Sequence, residues 1–194
     1  MNTHTEGSII KELRRYFQNG YTYRVDNAFI FSCDWESDFF CMNREGWTFE
    51  FEVKISRSDF KADLKKNKHE IFKTGFVTQT HEHNGEIIFK QVGKQFIPNR
   101  FYYAVPVGLI AKEEVPEYAG LITVGNFANI IKRAPFIHRR KLEVRKILCD
   151  KFYHRWLEER RKGAMLEYDH KKLKENVEKM RAKYPEHYST IYNF

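Results

Sequence analysis

Hydrophobic and polar residues alternate without interruption across residues 47–55. Trp47, Phe49, Phe51, Val53 and Ile55 share one side of an extended chain, and Thr48, Glu50, Glu52 and Lys54 share the other. Phe39-Phe40-Cys41-Met42 predicts a strand before it, and Asn43-Arg44-Glu45-Gly46 has turn composition, so the two strands are expected to pair as an antiparallel hairpin. Residues 8–17 place Ile9, Ile10, Leu13, Tyr16 and Phe17 at helical intervals, with Ser8 as N-cap and Asn19-Gly20 as the stop. Residues 21–31 read as one strand or two short extended pieces. Ser56-Arg57-Ser58-Asp59 has the form of a helix-starting capping box, and Phe60, Leu64 and Ile71 continue the helical period behind it. Lys61, Lys65, Lys66 and Lys68 make that helix basic.

Further on, residues 74–96 predict a hairpin or flap around His81-Glu82-His83-Asn84-Gly85. Residues 101–105 and 119–124 are almost continuously apolar, which predicts central strands covered on both faces. After Pro135 the pattern predicts two helices, one carrying Leu142, Leu148, Phe152 and Trp156 and one carrying Leu173, Val177, Met180 and Tyr184, parted at Gly163. Residues 1–140 are therefore expected to form the core and 141–194 a basic helical extension. At 194 residues a single α/β or α+β domain is the natural expectation.

Charge adds an asymmetry. The net charge is +8, yet residues 1–131 hold 16 basic and 17 acidic residues while 132–194 hold 18 basic and 9 acidic. Such a segment suits a phosphate backbone, an anionic membrane or simple solubility. No apolar run is long enough to cross a membrane, and the first residues lack the basic and apolar regions of a secretion signal, so a cytoplasmic protein is expected. Cys33, Cys41 and Cys149 do not form a secretory disulfide framework and read as buried thiols.

The chemistry concentrates in Glu52-Val53-Lys54. Glu52 and Lys54 lie on the same side of the strand, and Asp38 is placed to approach across the hairpin. Two carboxylates suit Mg²⁺, with Mn²⁺ as a substitute, and leave coordination positions for water and phosphate. Glu-x-Lys alone is common on the solvated face of an edge strand, so Asp38 and the basic helix behind it carry the argument. Ser56 and Arg57, with Asp59 and Asp63, form a neighbouring set in which Ser56 and the first helical amides face a phosphate or merely cap the helix. Lys61, Lys65 and Lys66, with Arg139, Arg140, Arg145 and Lys146 in the tail, are the candidate nucleic-acid contacts. His81, His83, Cys33 and Cys41 are residues of zinc-binding type in a spacing that matches no closed zinc motif.

Asp38 followed by Glu52-Val53-Lys54 resembles the divided acidic signature of the PD-(D/E)XK nucleases. The run from Glu52 to Asp63 is similar to the signature segment of the MmcB-like DNA repair family. Arg100-Phe101-Tyr102-Tyr103-Ala104-Val105-Pro106 and Pro116-Glu117-Tyr118-Ala119-Gly120-Leu121-Ile122 resemble that family's next two blocks. The resemblance implies an α/β, restriction-endonuclease-like fold with a central mixed sheet flanked by helices. It implies Asp38 and Glu52 as metal ligands, Lys54 as the residue assisting phosphodiester hydrolysis, and Glu12 as an auxiliary site residue. The residue before Asp38 is not proline, and residues 74–99 make a long connection. The expected function is a Mg²⁺-dependent DNA endonuclease or nuclease-like repair protein. The alternative is a catalytically silent DNA-binding accessory in repair or mobile-element DNA processing, with a protein partner.

Overall fold

The computed structural model describes residues 4–31, 35–74, 77–83, 86–92 and 97–183, and the side chains of all but 77–83 and 86–92 among these. The chain divides into two compact units, Met1–Lys146 and Ile147–Phe194.

The first unit is built on a six-stranded mixed sheet. Its strands are β1 (Tyr21–Ala28), β2 (Ser37–Asn43), β3 (Thr48–Val53), β6 (Arg100–Pro106), β7 (Ala119–Val124) and β8 (Ala128–Lys132), in that spatial order. The β3–β6 and β6–β7 pairs are parallel and the others antiparallel. The expected hairpin is present as β2 and β3, with Phe39 opposite Phe51 and Phe40 opposite Glu50. Its turn is fixed by Asn43, whose Oδ1 accepts from the amides of Glu45 and Trp47 at 3.1 and 2.9 Å, and by Gly46 at φ +87°. A separate two-stranded sheet pairs β4 (Val77–His83) with β5 (Glu86–Val92), the hairpin expected there. β8 is not apparent in the sequence pattern, because Ala128-Asn129-Ile130-Ile131-Lys132 does not alternate cleanly.

Helix α1 (Glu6–Tyr16) covers one face of the sheet. Its cap is Thr5 rather than Ser8: Thr5 Oγ1 accepts from the Ser8 amide while Ser8 Oγ accepts from the Thr5 amide. Ser8 thus completes the reciprocal box at the third helical position, and the helix begins one turn early. Ile9, Leu13 and Phe17 pack with Phe39, Phe51, Val53, Tyr102, Ala104 and Ile122 in the core on this side. Phe51 stacks on Tyr102 with ring centres 5.4 Å apart.

The opposite face packs Phe101, Tyr103, Val105 and Leu121 against α2 (Arg57–Asp63) and α3 (Asn67–Thr74), through Phe60, Ile71 and Phe72. The single helix expected after Ser56 is thus two short ones joined at Leu64-Lys65-Lys66. With helices on both faces, the central strands β3 and β7 are buried along their whole length, as their apolar character predicts for the latter.

In the second unit, α4 (Arg145–Lys183) runs continuously for 39 residues, so the two helices expected on either side of Gly163 are one. A single glycine costs about 1 kcal/mol in a helix interior, too little to end one rich in Leu, Glu, Lys and Arg. Leu142 precedes this helix, and Tyr184 lies outside the described residues.

Candidate functional site

The charged face of β3 does not meet solvent. Glu50, Glu52 and Lys54 are 0, 2 and 5% exposed, because α2 and α3 close over them. The alternative of a solvated edge-strand face therefore does not describe these residues. The residues on this side form a nearly dry cluster of carboxylates and ammonium groups, arranged around Glu52 and Asp63.

Glu52 accepts from Lys54 Nζ at 2.8 Å and from Lys66 Nζ at 3.3 Å through Oε1, and from Lys68 Nζ through Oε2. Burial works against the Lys54 ammonium, but the Glu52, Asp63 and Asp38 carboxylates around it together outweigh burial and hold its pKa above the ordinary value. Asp63 is fully buried at the end of α2. Its Oδ1 lies 2.7 Å from Lys66 Nζ and 3.7 Å from both Lys54 and Lys68. Its Oδ2 meets His69 Nε2 at 2.8 Å and accepts from Tyr103 Oη at 3.0 Å. Burial alone would raise the Asp63 pKa, yet the His69 hydrogen bond and the surrounding ammonium groups drive it well below the ordinary carboxylate range. Tyr118 Oη continues the chain to His69 Nδ1 at 3.0 Å.

Asp38 enters from the neighbouring strand. One step beyond the Phe39–Phe51 pair it stands opposite Glu52, and its Oδ2 accepts from the Val53 amide at 2.7 Å. Burial and the Glu52 charge push its pKa up to about 7, against the lowering effect of that amide. Glu50, two residues back along β3 on the same side, accepts from Trp35 Nε1 at 3.1 Å through Oε1 and leaves Oε2 buried without a partner. Burial lifts its pKa to about 8, with Lys68 pulling the other way.

Asp38, Glu52 and Lys54 therefore belong to one cluster. Glu12 is engaged elsewhere: its carboxylate pairs with Arg15, which also donates to the Asn126 carbonyl. The α1 carboxylate whose charge reaches Asp38 is Glu6. Ser56 caps α2 by accepting from the Asp59 amide at 3.1 Å. Arg57 is taken up by the Leu109 carbonyl and by Glu114, on the loop after β6. Lys61 and Lys65 are exposed on α2 and on the turn after it, next to half-exposed Lys66.

Arg139 and Arg140 sit at the other end of the parallel strands. Asn99 Oδ1 accepts from the Thr48 amide and hydroxyl at the start of β3, while its amide nitrogen donates to the carbonyls of His138 and Arg140 at 3.1 and 2.8 Å. Arg139 lies over the Phe136 ring, and Arg145 is exposed 3.9 Å from Glu143. Lys146 is exposed. Lys132 donates to the carbonyls of Val115 and Pro116, each at 2.9 Å.

Lys68, His69, Tyr103 and Tyr118 are the cluster members that sequence reasoning missed. Lys68 and His69 fall in a charged stretch that reads as a solvated helix surface, and only the break after Asp63 turns them inward. Cys41 is a fully buried core thiol with its pKa raised by burial, whereas Cys149 is exposed rather than buried. Cys33 and the side chains of His81 and His83 lie outside the described residues, so the zinc-type set has only Cys41 on view.

Among the described residues no group of three or more His, Cys, Asp and Glu side chains is arranged to hold a metal ion. What the cluster offers is a carboxylate pair, Asp38 and Glu52. Its oxygen donors fit a hard divalent cation in type: their mutual repulsion contributes to the raised Asp38 pKa and is what such a cation would relieve. The half-exposed Lys66 is the ammonium able to leave Glu52 toward solvent.

No family model matches the chain, and no curated protein matches it. A solved structure does: a Silicibacter pomeroyi protein of unknown function aligns at 20% identity and a TM-score of 0.54, covering 82% of this chain and 90% of that one. The likeness is one of fold. Among the described residues no helix is long and apolar enough to cross a membrane.

Proposed function

We propose that the first unit is a restriction-endonuclease-like core of the PD-(D/E)XK type, most like the MmcB-like repair proteins, that hydrolyses DNA phosphodiester bonds with Mg²⁺. The observation that carries this reading is the placement of Asp38 opposite Glu52, with Lys54 on the same carboxylate. Mg²⁺ held by Asp38 and Glu52 would activate water and offset charge on the phosphate. Lys54, kept charged by Glu52, stabilises negative charge as it develops on the phosphoryl oxygens. Asp63, tied to His69 and Tyr103, fixes the lysine ends from behind. Lys61, Lys65 and Lys66 border the same region and supply salt-sensitive attraction for a nucleic-acid backbone.

Lys68 favours a second reading. It is a buried ammonium already seated on Glu52, a charge arrangement that satisfies the carboxylate without a metal. A core of this kind would bind DNA in a repair or mobile-element complex and leave it uncut.

The two readings separate in one assay. Labelled duplex, single-stranded and branched DNA are incubated with the protein and Mg²⁺ or Mn²⁺, beside the Asp38→Ala, Glu52→Ala and Lys54→Ala proteins. Hydrolysis is expected from the unaltered protein and its loss from all three variants. Cleavage that survives all three substitutions sinks the nuclease assignment. Salt-sensitive binding without cleavage, unaffected by Glu52→Gln, supports the silent reading.

A further inference from the structure

Helix α4 is about 58 Å long at 1.5 Å per residue, and its one buried residue is Leu148, near the start. Isolated helices of this composition gain little stability from their own backbone bonds, and most helical stability comes from packing an apolar face. That face is present and its large apolar side chains are exposed. Leu166, Leu173 and Met180 are 69, 62 and 52% exposed. A shallow groove runs along it, lined by Leu166, His170 and Leu173 with Glu167, Asp169 and Lys174 beside them.

Two observations identify what covers it. First, Leu166, His170, Leu173, Val177 and Met180 succeed one another at alternating steps of four and three residues. A period of 3.5 is the seam of a left-handed coiled coil, with Leu166, Leu173 and Met180 at d and His170 and Val177 at a. Second, the residues flanking that seam are complementary to themselves. Lys162 and Asp169 take g positions, and Glu167 and Lys174 take e positions. In a parallel, in-register pair, each g residue meets the e residue five places on in the other helix. Lys162 then faces Glu167, and Asp169 faces Lys174, with both contacts repeated by symmetry. Before Lys162 the register fails, since Glu159 falls at d and Arg155 would meet Arg160.

We propose that residues 162–183 of α4 pair with the same segment of a second copy of this chain as a parallel two-stranded coiled coil. The seam is short and carries a polar His170 at one a position, so association is weak and adjustable, and it fixes the two copies side by side with the same polarity.

Sedimentation equilibrium of the full chain, from low-micromolar to several hundred micromolar protein, tests this. A monomer–dimer equilibrium is expected. Leu166→Asp with Leu173→Asp should leave a monomer whose first unit melts at an unchanged temperature, because both side chains are already exposed. Lys162→Glu with Asp169→Lys should weaken dimerisation by about tenfold or more, since the Lys162–Glu167 and Asp169–Lys174 contacts both become repulsive. Adding Glu167→Lys and Lys174→Glu should restore it. A monomer at every concentration, a dimer that survives the two aspartates, or a fourfold charge reversal that does not restore pairing would each overturn the proposal. The first of these outcomes would assign the seam to a helix of another protein.

Discussion

Lys68, in the first turn of α3, donates to Glu52 in the middle of the sheet, and both side chains are almost wholly shielded from water. Lys66 reaches the same carboxylate from the turn before it with half of its side chain exposed. Ion pairs at these two depths have different worth. Removing one partner of a buried pair leaves an uncompensated charge in a low-dielectric site, whereas an exposed partner is readily replaced by water.

Lys68→Met is therefore expected to lower the unfolding free energy by about 2–3 kcal/mol, short of the full cost of breaking a buried pair because Lys54 still holds Glu52. Lys66→Met should cost less than about 1 kcal/mol. Urea denaturation followed by tryptophan fluorescence measures both. Equal losses would show that α3 does not seal Lys68 in.

Glu50 sets a pH dependence of defined sign. Its carboxyl titrates near 8 in the folded protein, against an ordinary value of 4.5, because it is fully buried. Between those values the folded chain holds a proton that the unfolded chain has lost, so stability falls as pH rises through this window. Asp38, raised from 3.8 to about 7, acts in the same direction. Asp63, with a lowered pKa, contributes stability above the unfolded carboxylate range and loses it only in acid. The unfolding free energy should therefore decline from about pH 4 to pH 8, by on the order of several kcal/mol. Glu50→Gln should flatten the alkaline part of that decline. A stability that rises over the same range would contradict the burial of Glu50.

Gly120 is required by close packing rather than by backbone freedom. A Cβ at this position in β7 would lie 2.4 Å from two carbons of the Tyr102 ring and 2.6 Å from the Ala134 backbone nitrogen. The ring is stacked on Phe51 and the nitrogen belongs to the chain leaving β8, so neither retreats cheaply. Gly120→Ala should destabilise the first unit by about 2–3 kcal/mol, and thermal melting would read the loss directly. Gly163→Ala in α4, where nothing lies within 4 Å of the place a methyl group would take, should instead be neutral or stabilising.

Three strands and a turn were legible because each carries a local rule, whereas β8 carries none. Alternation marked β3, Asn43 and Gly46 marked its turn, and uninterrupted apolar runs marked β6 and β7. The triad of Asp38, Glu52 and Lys54 was legible as a set, since a hairpin fixes which residues can face one another. Its environment was not, because burial of a charged strand face depends on a covering layer that period-two patterning cannot register. The break after Asp63 has no proline or glycine to announce it, and it alone turns Lys68 and His69 inward. The pairing of Glu12 was not legible either: position along a helix does not say which neighbour a carboxylate will meet, and Arg15 one turn on holds Glu12. At Gly163 the error ran the other way, with a local signal given more weight than helix propensity allows.

The proposed DNA contacts form two groups separated along β3. Lys61, Lys65 and Lys66 lie with α2 and the turn that follows it, near the Glu52 and Lys54 end of the strand, whereas Asn99 fastens the Arg140 backbone near Thr48 at its beginning. Six residues of strand separate Thr48 from Lys54, about 20 Å at 3.3 Å per residue. A nucleic acid that meets both groups must span several phosphates, while a short strand seated at the carboxylates reaches only the first. Lys61→Gln with Lys65→Gln should therefore weaken binding of both a short single strand and a long duplex. Arg139→Gln with Arg140→Gln should weaken the long duplex alone. Each lost phosphate contact should reduce the slope of log affinity against log salt by about 1. Fluorescence anisotropy across a salt series separates these outcomes. If Arg139 and Arg140 matter equally for the short strand, the nucleic acid does not lie along the axis of β3.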